Sequence, residues 1–241
     1  MTTAILDNEQ HLDIKVDTRA TREFGDMVNR SIAVSSEFND IHKDFPILLH
    51  KDSGSGEFTA HVILGFEKDE NLFVENERWI SRHVPASLAR GPFSLGYVRR
   101  EDNGEEAADI KVMIDEDDPR IGTEGQAVFL QLGGESPYLE HVKRVLQLVD
   151  AGLRMDKVFY PQLMEMDLLE EVKITITLNE EQQYSFAGYY TISQDRLAAL
   201  NAEQLLKLSQ SGTLGLVYFL VSSLGNLQKL IKLKSAPGRS A

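Results

Sequence analysis

Six histidines, 38 carboxylates and no cysteine bound the chemistry open to this 241-residue chain. Without thiols there are no disulfides, thiolate zinc sites, Fe–S clusters or cysteine nucleophiles. His11-Leu-Asp13 has the spacing that opens a two-histidine, one-carboxylate iron site. The other five, His42, His50, His61, His83 and His141, show no i, i+4 pair and read one by one as core or surface residues. Asp115-Glu-Asp-Asp118 offers hard oxygens to a cation such as Ca2+. It lacks the alternating spacing and central glycine of an EF-hand loop, so a solvated acidic loop is the better reading. No Walker-type run, no G-x-G-x-x-G and no G-x-S-x-G elbow is present. Gly54-Ser-Gly56 reads as a hairpin turn. The side chains therefore assign no catalytic residue, no metal ligand and no cofactor.

One segment stands apart, from Glu70-Asn71 to Phe93. The only tryptophan, Trp79, lies among Arg78, Arg82, His83 and Arg90, with Pro85, Pro92 and Phe93 nearby. An aromatic ring beside several guanidinium groups can receive a peptide or an anionic ligand by stacking and charge-assisted hydrogen bonds. Glu37, in a short helix of otherwise apolar facing, is a candidate buried partner for one of the arginines. The candidate ligand-binding set is thus Glu37, Asn71, Trp79, Arg82, Arg90 and Phe93. The competing reading makes Trp79 a core anchor and lets the arginines balance nearby acidic residues.

The elements that must hold these residues follow from periodicity and turn signals. Leu12–Val16 alternates as a strand, and Ser35–Ile41 reads as a short helix with Ser35 or Ser36 as N-cap, ended before Pro46. Pro46–Leu49 and Phe58–Phe66, separated by the turn Lys51–Gly56, predict an antiparallel hairpin. Asn71–Val74 and Phe93–Val98 read as strands, with a short helix opening at Pro85 between them. Glu101–Asp118 holds nine acidic residues and one lysine, and reads as a loop-rich insertion containing a strand at Ile110–Ile114. Ser136–Leu169 has helical spacing, with Ser136 as cap, Pro137 in the first turn and Pro161 expected to kink or divide it. Val172–Leu178 and Tyr184–Ile192, around a turn at Asn179–Gln183, form the clearest hairpin signal. Helices follow at Gln194–Leu200, Ala202–Leu208 and Thr213–Leu233. Ser235–Ala241 reads as a flexible tail.

Composition sets further limits. The formal net charge is −13 and the pI about 4.9, which argues against a nucleic-acid partner, whose affinity would come from basic groups on phosphates. The start of the chain does not read as a secretory signal. The apolar run Leu214–Leu224 is short of the roughly 20 residues needed to span a bilayer, so no transmembrane segment is expected. The 213–233 helix is apolar around much of its circumference and reads as a buried element, or secondly as a homo-oligomer contact.

The order of segments resembles the bacterial SapC family. The resemblance rests on Ser36-Glu-Phe38, Phe45-Pro-Ile47, Leu64-Gly65, Glu70-Asn-Leu-Phe73, Trp79, Val84-Pro-Ala86 and Arg90-Gly-Pro-Phe93. It continues through Ile114-Asp-Glu-Asp-Asp-Pro-Arg-Ile121, Ser136-Pro-Tyr-Leu139, Gly188-Tyr-Tyr-Thr-Ile192, Leu197 to Leu200, Leu208, Gly212 with Leu214, and Ser223-Leu224. Phe129–Gly134, less acidic than the family pattern, and the insertion Glu101–Asp109 depart from it. The resemblance implies an accessory protein linked to cell-envelope proteins or to halogenase- and oxygenase-type modifying enzymes, an implication from association rather than chemistry.

Together these readings give one α+β domain over residues 1–234, with a mixed, largely antiparallel sheet covered by C-terminal helices. They point to a cytoplasmic, non-catalytic protein that recognises a peptide or protein partner. The alternatives are a metal-dependent, oxygenase-like enzyme or helper subunit, and a structural component of a surface layer.

Overall fold

The computed structural model describes residues 2–102, 105–178 and 182–236. In chain order the elements are β1 (Thr3–Ile5), β2 (Lys15–Val16), β3 (Arg30–Ala33) and α1 (Phe38–Ile41), the last entered through a 3-10 turn at Ser35–Glu37. Next come β4 (Ile47–Lys51), β5 (Phe58–Ile63), β6 (Val74–Glu75), β7 (Arg78–Trp79), α2 (Ala86–Ala89), β8 (Phe93–Asp102) and β9 (Glu105–Asp115). The chain continues with β10 (Ile121–Gly122), β11 (Gln126–Ala127), α3 (Pro137–Glu165), β12 (Leu169–Thr177) and β13 (Gln183–Ile192). It closes with α4 (Gln194–Ala198), α5 (Ala202–Gln210), α6 (Leu214–Ser223) and α7 (Leu227–Lys234). The class is α+β, and every strand pairing among the described residues is antiparallel.

The fold parts into two compact units, each assembled from two stretches of chain. The first comprises Met1–Asp26 and Ala86–Leu148, the second Met27–Pro85 and Val149–Ala241. In the first unit β1, β9 and β8 form a three-stranded sheet, and β10, β2 and β11 a smaller one. Phe93, Ile114, Val128, Leu139 and Val142 make its core. The acidic stretch expected to be loop-rich is instead mostly strand, because Phe93–Asp102 pairs in continuous register with Glu105–Asp115.

The second unit is built on a five-stranded sheet of order β12-β13-β4-β5-β3. Both expected hairpins are present, β4–β5 and β12–β13, and the pairs Tyr189↔His50 and Tyr190↔Leu49 join them. Two of the five strands thus come from the second half of the chain, where the alternation was clearest. The turn predicted at Asn179–Gln183 lies partly outside the described residues, as does most of the Ser235–Ala241 tail. The helix α6 packs on β4, β13 and α1 through buried Leu216, Val217 and Leu220. Polar bonds fix the same helical stretch in place. Ser223 Oγ accepts the Ile47 N–H at 3.1 Å, and Asn226 Nδ2 donates to the Phe45 carbonyl at 3.1 Å.

Four local expectations are revised. The α1 turn is capped from inside: Glu37 Oε1 accepts the Val34 N–H at 3.0 Å, so Val34 stands where Ser35 or Ser36 was expected. The helix α3 runs unbroken through Pro161. Pro161 and Lys157 both face solvent, so water can satisfy the carbonyl that a proline leaves without its donor. Only Lys15–Val16 of the expected 12–16 strand is paired. The helical stretch extends past the apolar run Leu214–Leu224: Leu214–Lys234, of mean hydropathy 1.3, is long and apolar enough to cross a membrane by length and composition alone.

Candidate functional site

Four of the six candidate residues, Glu37, Asn71, Trp79 and Arg82, fall in the second unit, whereas Arg90 and Phe93 belong to the first. Asn71 is buried, and its Oδ1 accepts the Phe73 N–H at 3.0 Å, a local turn that an Asx side chain closes well. Phe73 is sealed in the core against Phe45, with ring centroids 4.6 Å apart. From the Phe73 carbonyl a 2.8 Å bond reaches back to the Ile80 N–H. Asn71 and Phe73 thereby anchor the base of a tight hairpin.

That hairpin is β6–β7, with Val74↔Trp79 and Glu75↔Arg78 paired. Its two central residues, Asn76 and Glu77, have φ of +49° and +59°, as a two-residue type I′ turn requires. Asn tolerates this region well. Glu77 does so at a cost, which the surrounding pairing must offset. The turn presents Trp79 half-buried, with Arg78, Ile80 and Arg82 exposed around it. Neither guanidinium has a hydrogen bond or ion pair among the described residues, and the Trp79 indole N–H has no acceptor there.

The chain beyond the hairpin is pinned by a buried carboxylate. Asp44 Oδ2 lies 3.2 Å from His83 Nδ1 and its Oδ1 2.7 Å from Lys229 Nζ. Burial alone would raise the Asp44 carboxyl, but the Lys229 ammonium and His83 outweigh it and hold the group below the usual carboxylate range. Lys229 also sits over the Phe73 ring, 5.4 Å from its centroid. The result is a rigid seat under an accessible aromatic and cationic edge.

The first-unit candidates do different work. Arg90 Nη1 donates to the Phe93 carbonyl at 2.8 Å, closing its own turn. Phe93 is wholly buried, edge-on to Tyr138 at 6.2 Å. Its expected place in a ligand site is corrected to the core, because a ring sealed among Ile114, Val128 and Leu139 presents no surface to a ligand. Glu37 is also buried and caps the α1 turn.

The metal-ligand reading fares no better. His11 is buried, with Nδ1 3.0 Å from the Asp7 backbone nitrogen and Nε2 3.3 Å from Glu116, while Asp13 faces solvent. Among the described residues no three His, Asp or Glu side chains gather as a metal site. The acidic run 115–118 is engaged internally: Asp117 accepts the Thr2 N–H at 2.7 Å, and Asp118 pairs with Arg120 at 3.1 Å.

Spacing along the chain missed a second cluster. His50 and His61, on neighbouring strands, stack with ring centroids 5.2 Å apart and planes within 7°. Tyr189 meets both edge-on, at 5.8 and 6.0 Å, and its hydroxyl accepts a 2.9 Å bond from Arg30. The pairs Leu48↔His61 and His50↔Thr59 set the two rings diagonally on one sheet face. The sequence signal would have been their places on the two paired strands of one hairpin, not a helical i, i+4 repeat.

The comparison with known families bears on the whole chain. The SapC family model matches residues 6–230, which spans both units and every element that carries these clusters. The chain belongs to the SapC family. No curated protein and no solved structure matches it. Family membership names neither a reaction nor a ligand, so any role for this SapC-family protein must be argued from its side chains.

Proposed function

We propose that this SapC-family protein is a binding or accessory protein that captures an acidic segment of a peptide or protein partner at the Trp79 hairpin. The observation that carries this reading is the half-buried indole beside the exposed Arg78 and Arg82, with no acceptor for its N–H and no ion pair for either guanidinium among the described residues. Trp and Arg dominate binding energy at recognition surfaces, the first through apolar area and the second through forked hydrogen bonds to carboxylates. Ile80, 45% exposed, extends the apolar part of the edge. Asn71, Phe73 and Asp44 lie beneath it as scaffold, so little conformational entropy is lost on binding.

Trp79 is the only tryptophan, so its emission reads this site without background. Titration with an Asp- and Glu-rich peptide carrying one Phe should shift Trp79 emission saturably. Arg82→Glu should weaken binding at least about tenfold, as expected when an attractive charge contact becomes repulsive. Binding that leaves Trp79 emission unchanged, or that Arg82→Glu does not weaken, would refute the location.

A further inference from the structure

The stacked histidines on the five-stranded sheet are not explained by the hairpin. Buried polar atoms in a folded chain normally find partners, and this face leaves two without one. His50 and His61 have no hydrogen bond to any ring nitrogen among the described residues, and His61 Nδ1 is sealed from solvent without a partner. Thr191 Oγ1, two residues along β13 from Tyr189 and so on the same face, is also buried and unpartnered. Arg30 donates one bond, to Tyr189, and forms no ion pair among the described residues. Having accepted that bond, the Tyr189 hydroxyl keeps its own proton to donate.

The charges nearby have one sign. The groups that perturb His61 electrostatically are His50 and Arg30, both basic. Asp52 feels His50, but its Oδ1 is held in its own turn by the N–H groups of Gly54 and Ser55, at 2.9 and 2.7 Å. Glu170 shares the face but pairs opposite Thr191 on β12, beyond β13 and β4 from His61. A metal ion does not fit this arrangement. Imidazole lone pairs lie in the ring plane, and two rings stacked within 7° of parallel do not aim them at one point.

The rings beside Tyr189 are partly open, with Phe186 and Tyr184 half-buried and Tyr189 and Phe66 buried. From Tyr189 the aromatic contacts continue to Phe186 at 6.4 Å, then Phe66 at 6.0 Å, and Phe66 stacks on Tyr184 at 5.0 Å. The geometry points to a second binding site at Arg30, His50, His61 and Tyr189, one that takes an organic carboxylate whose aromatic body lies along Phe186. The guanidinium fork, the phenol and an imidazole N–H supply donors to the carboxylate, and the ring row supplies the apolar floor. Burial and its basic neighbours pull the His61 imidazole down to about 4, so a bound anion beside it should draw a proton on. Binding then strengthens as pH falls, by at most about tenfold per pH unit for one proton taken up.

The test is a titration of the full chain with benzoate, acetate and inorganic phosphate, followed by histidine ring resonances in NMR and assigned with His50→Gln and His61→Gln. Benzoate should shift both histidines saturably, more tightly at pH 5.5 than at pH 7.5 and more tightly than acetate. Arg30→Gln, a change at an exposed side chain, should cost about tenfold or more in affinity, the usual scale for a charged hydrogen bond. Thermal unfolding of Arg30→Gln close to that of the parent shows that the fold is intact. No saturable shift with any probe, phosphate bound more tightly than benzoate, or benzoate binding unaffected in Arg30→Gln would each overturn the assignment. Histidine resonances report this site and the Arg82→Glu variant reports the hairpin, so the failure of one proposal is distinguishable from failure of the other.

Discussion

Replacing His61 by Phe tests the electrostatics of the five-stranded sheet with one substitution. In the folded protein the His61 imidazole is held neutral down to about 4, against an ordinary value of 6.5. Desolvation is the largest cause, followed by His50 and Arg30. The folded state therefore refuses a proton that the unfolded chain accepts below 6.5. Stability is complete above that pH and falls as the pH drops from 6.5 towards 4. The full gap corresponds to about 3 kcal/mol. The ring is only partly buried, and solvent screening reduces this to about 1–2 kcal/mol. Between pH 7.5 and pH 5 the share lost is about 1 kcal/mol.

Phe keeps a flat ring beside His50 and Tyr189 but has no proton to take up. Urea unfolding of parent and His61→Phe at pH 7.5 and 5, followed by Trp79 emission, measures the difference directly. Trp79 lies in the same unit as His61, so its signal reports the relevant transition. Acid also weakens the parent through Asp44, whose carboxyl is held below its usual range and loses that stabilisation as it protonates. That loss is common to both proteins and cancels in the comparison. The parent should lose about 1 kcal/mol more than the variant over this range. Equal losses would mean that His61 is not held neutral by its surroundings, and the picture of a desolvated, cation-flanked imidazole would fall.

Two further substitutions test packing. A methyl group at Gly152 would stand 2.5 Å from Val34 Cβ and 2.6 Å from Ser36 Oγ, so Gly152→Ala should destabilise by about 1–3 kcal/mol despite its better helix propensity. Gly225→Ala, with open space around the new methyl, is the control that should leave the melting temperature nearly unchanged. Phe93→Ala should cost about 3–5 kcal/mol in urea unfolding, the range for emptying a buried aromatic site. A loss below about 1 kcal/mol would show that the ring is not the core residue its burial indicates.

Alternation carried the reading of the main sheet. Pro46–Leu49 reads as a short apolar run and Phe58–Phe66 as its partner across a turn, Val172–Leu178 alternates cleanly ahead of Tyr184–Ile192, and both pairs form. The Ser136 cap was equally readable, since its hydroxyl accepts the Leu139 N–H at 3.1 Å. The errors came where a local rule met a different partner. Val34 replaced a serine as the N-cap because the Glu37 carboxylate three residues on can reach back to its amide. The strand expected at Asn71–Val74 forms only at Val74–Glu75, and its partner Arg78–Trp79 escaped notice because each is two residues long and their type I′ turn contains no glycine. Trp79 and Arg82 fall in one unit. Arg90 and Phe93 fall in the other unit, a division that nearness along the chain conceals.

The charge balance sharpens the meaning of the unpaired guanidinium groups. Acidic residues outnumber Lys and Arg by 38 to 25, so a cation without an ion pair cannot be blamed on a shortage of carboxylates. Many basic side chains here do find one: Arg19 holds Asp17, Arg120 holds Asp118, and buried Lys234 bridges Glu67 and Glu70 at 2.9 and 2.6 Å. Arg30, Arg78 and Arg82 have no such ion pair among the described residues; Arg30 donates to the Tyr189 hydroxyl instead, and Arg78 faces Glu75 across the hairpin without an ion pair to it. An acidic ligand approaching this protein meets a net repulsive field at long range and attraction only at these points. Salt screens the distant repulsion more than contacts that are partly desolvated. Association with an acidic partner should therefore depend on ionic strength less steeply than in a basic protein of the same contact set. A steep loss of affinity with added salt would mean that diffuse attraction, not these few guanidinium groups, governs binding.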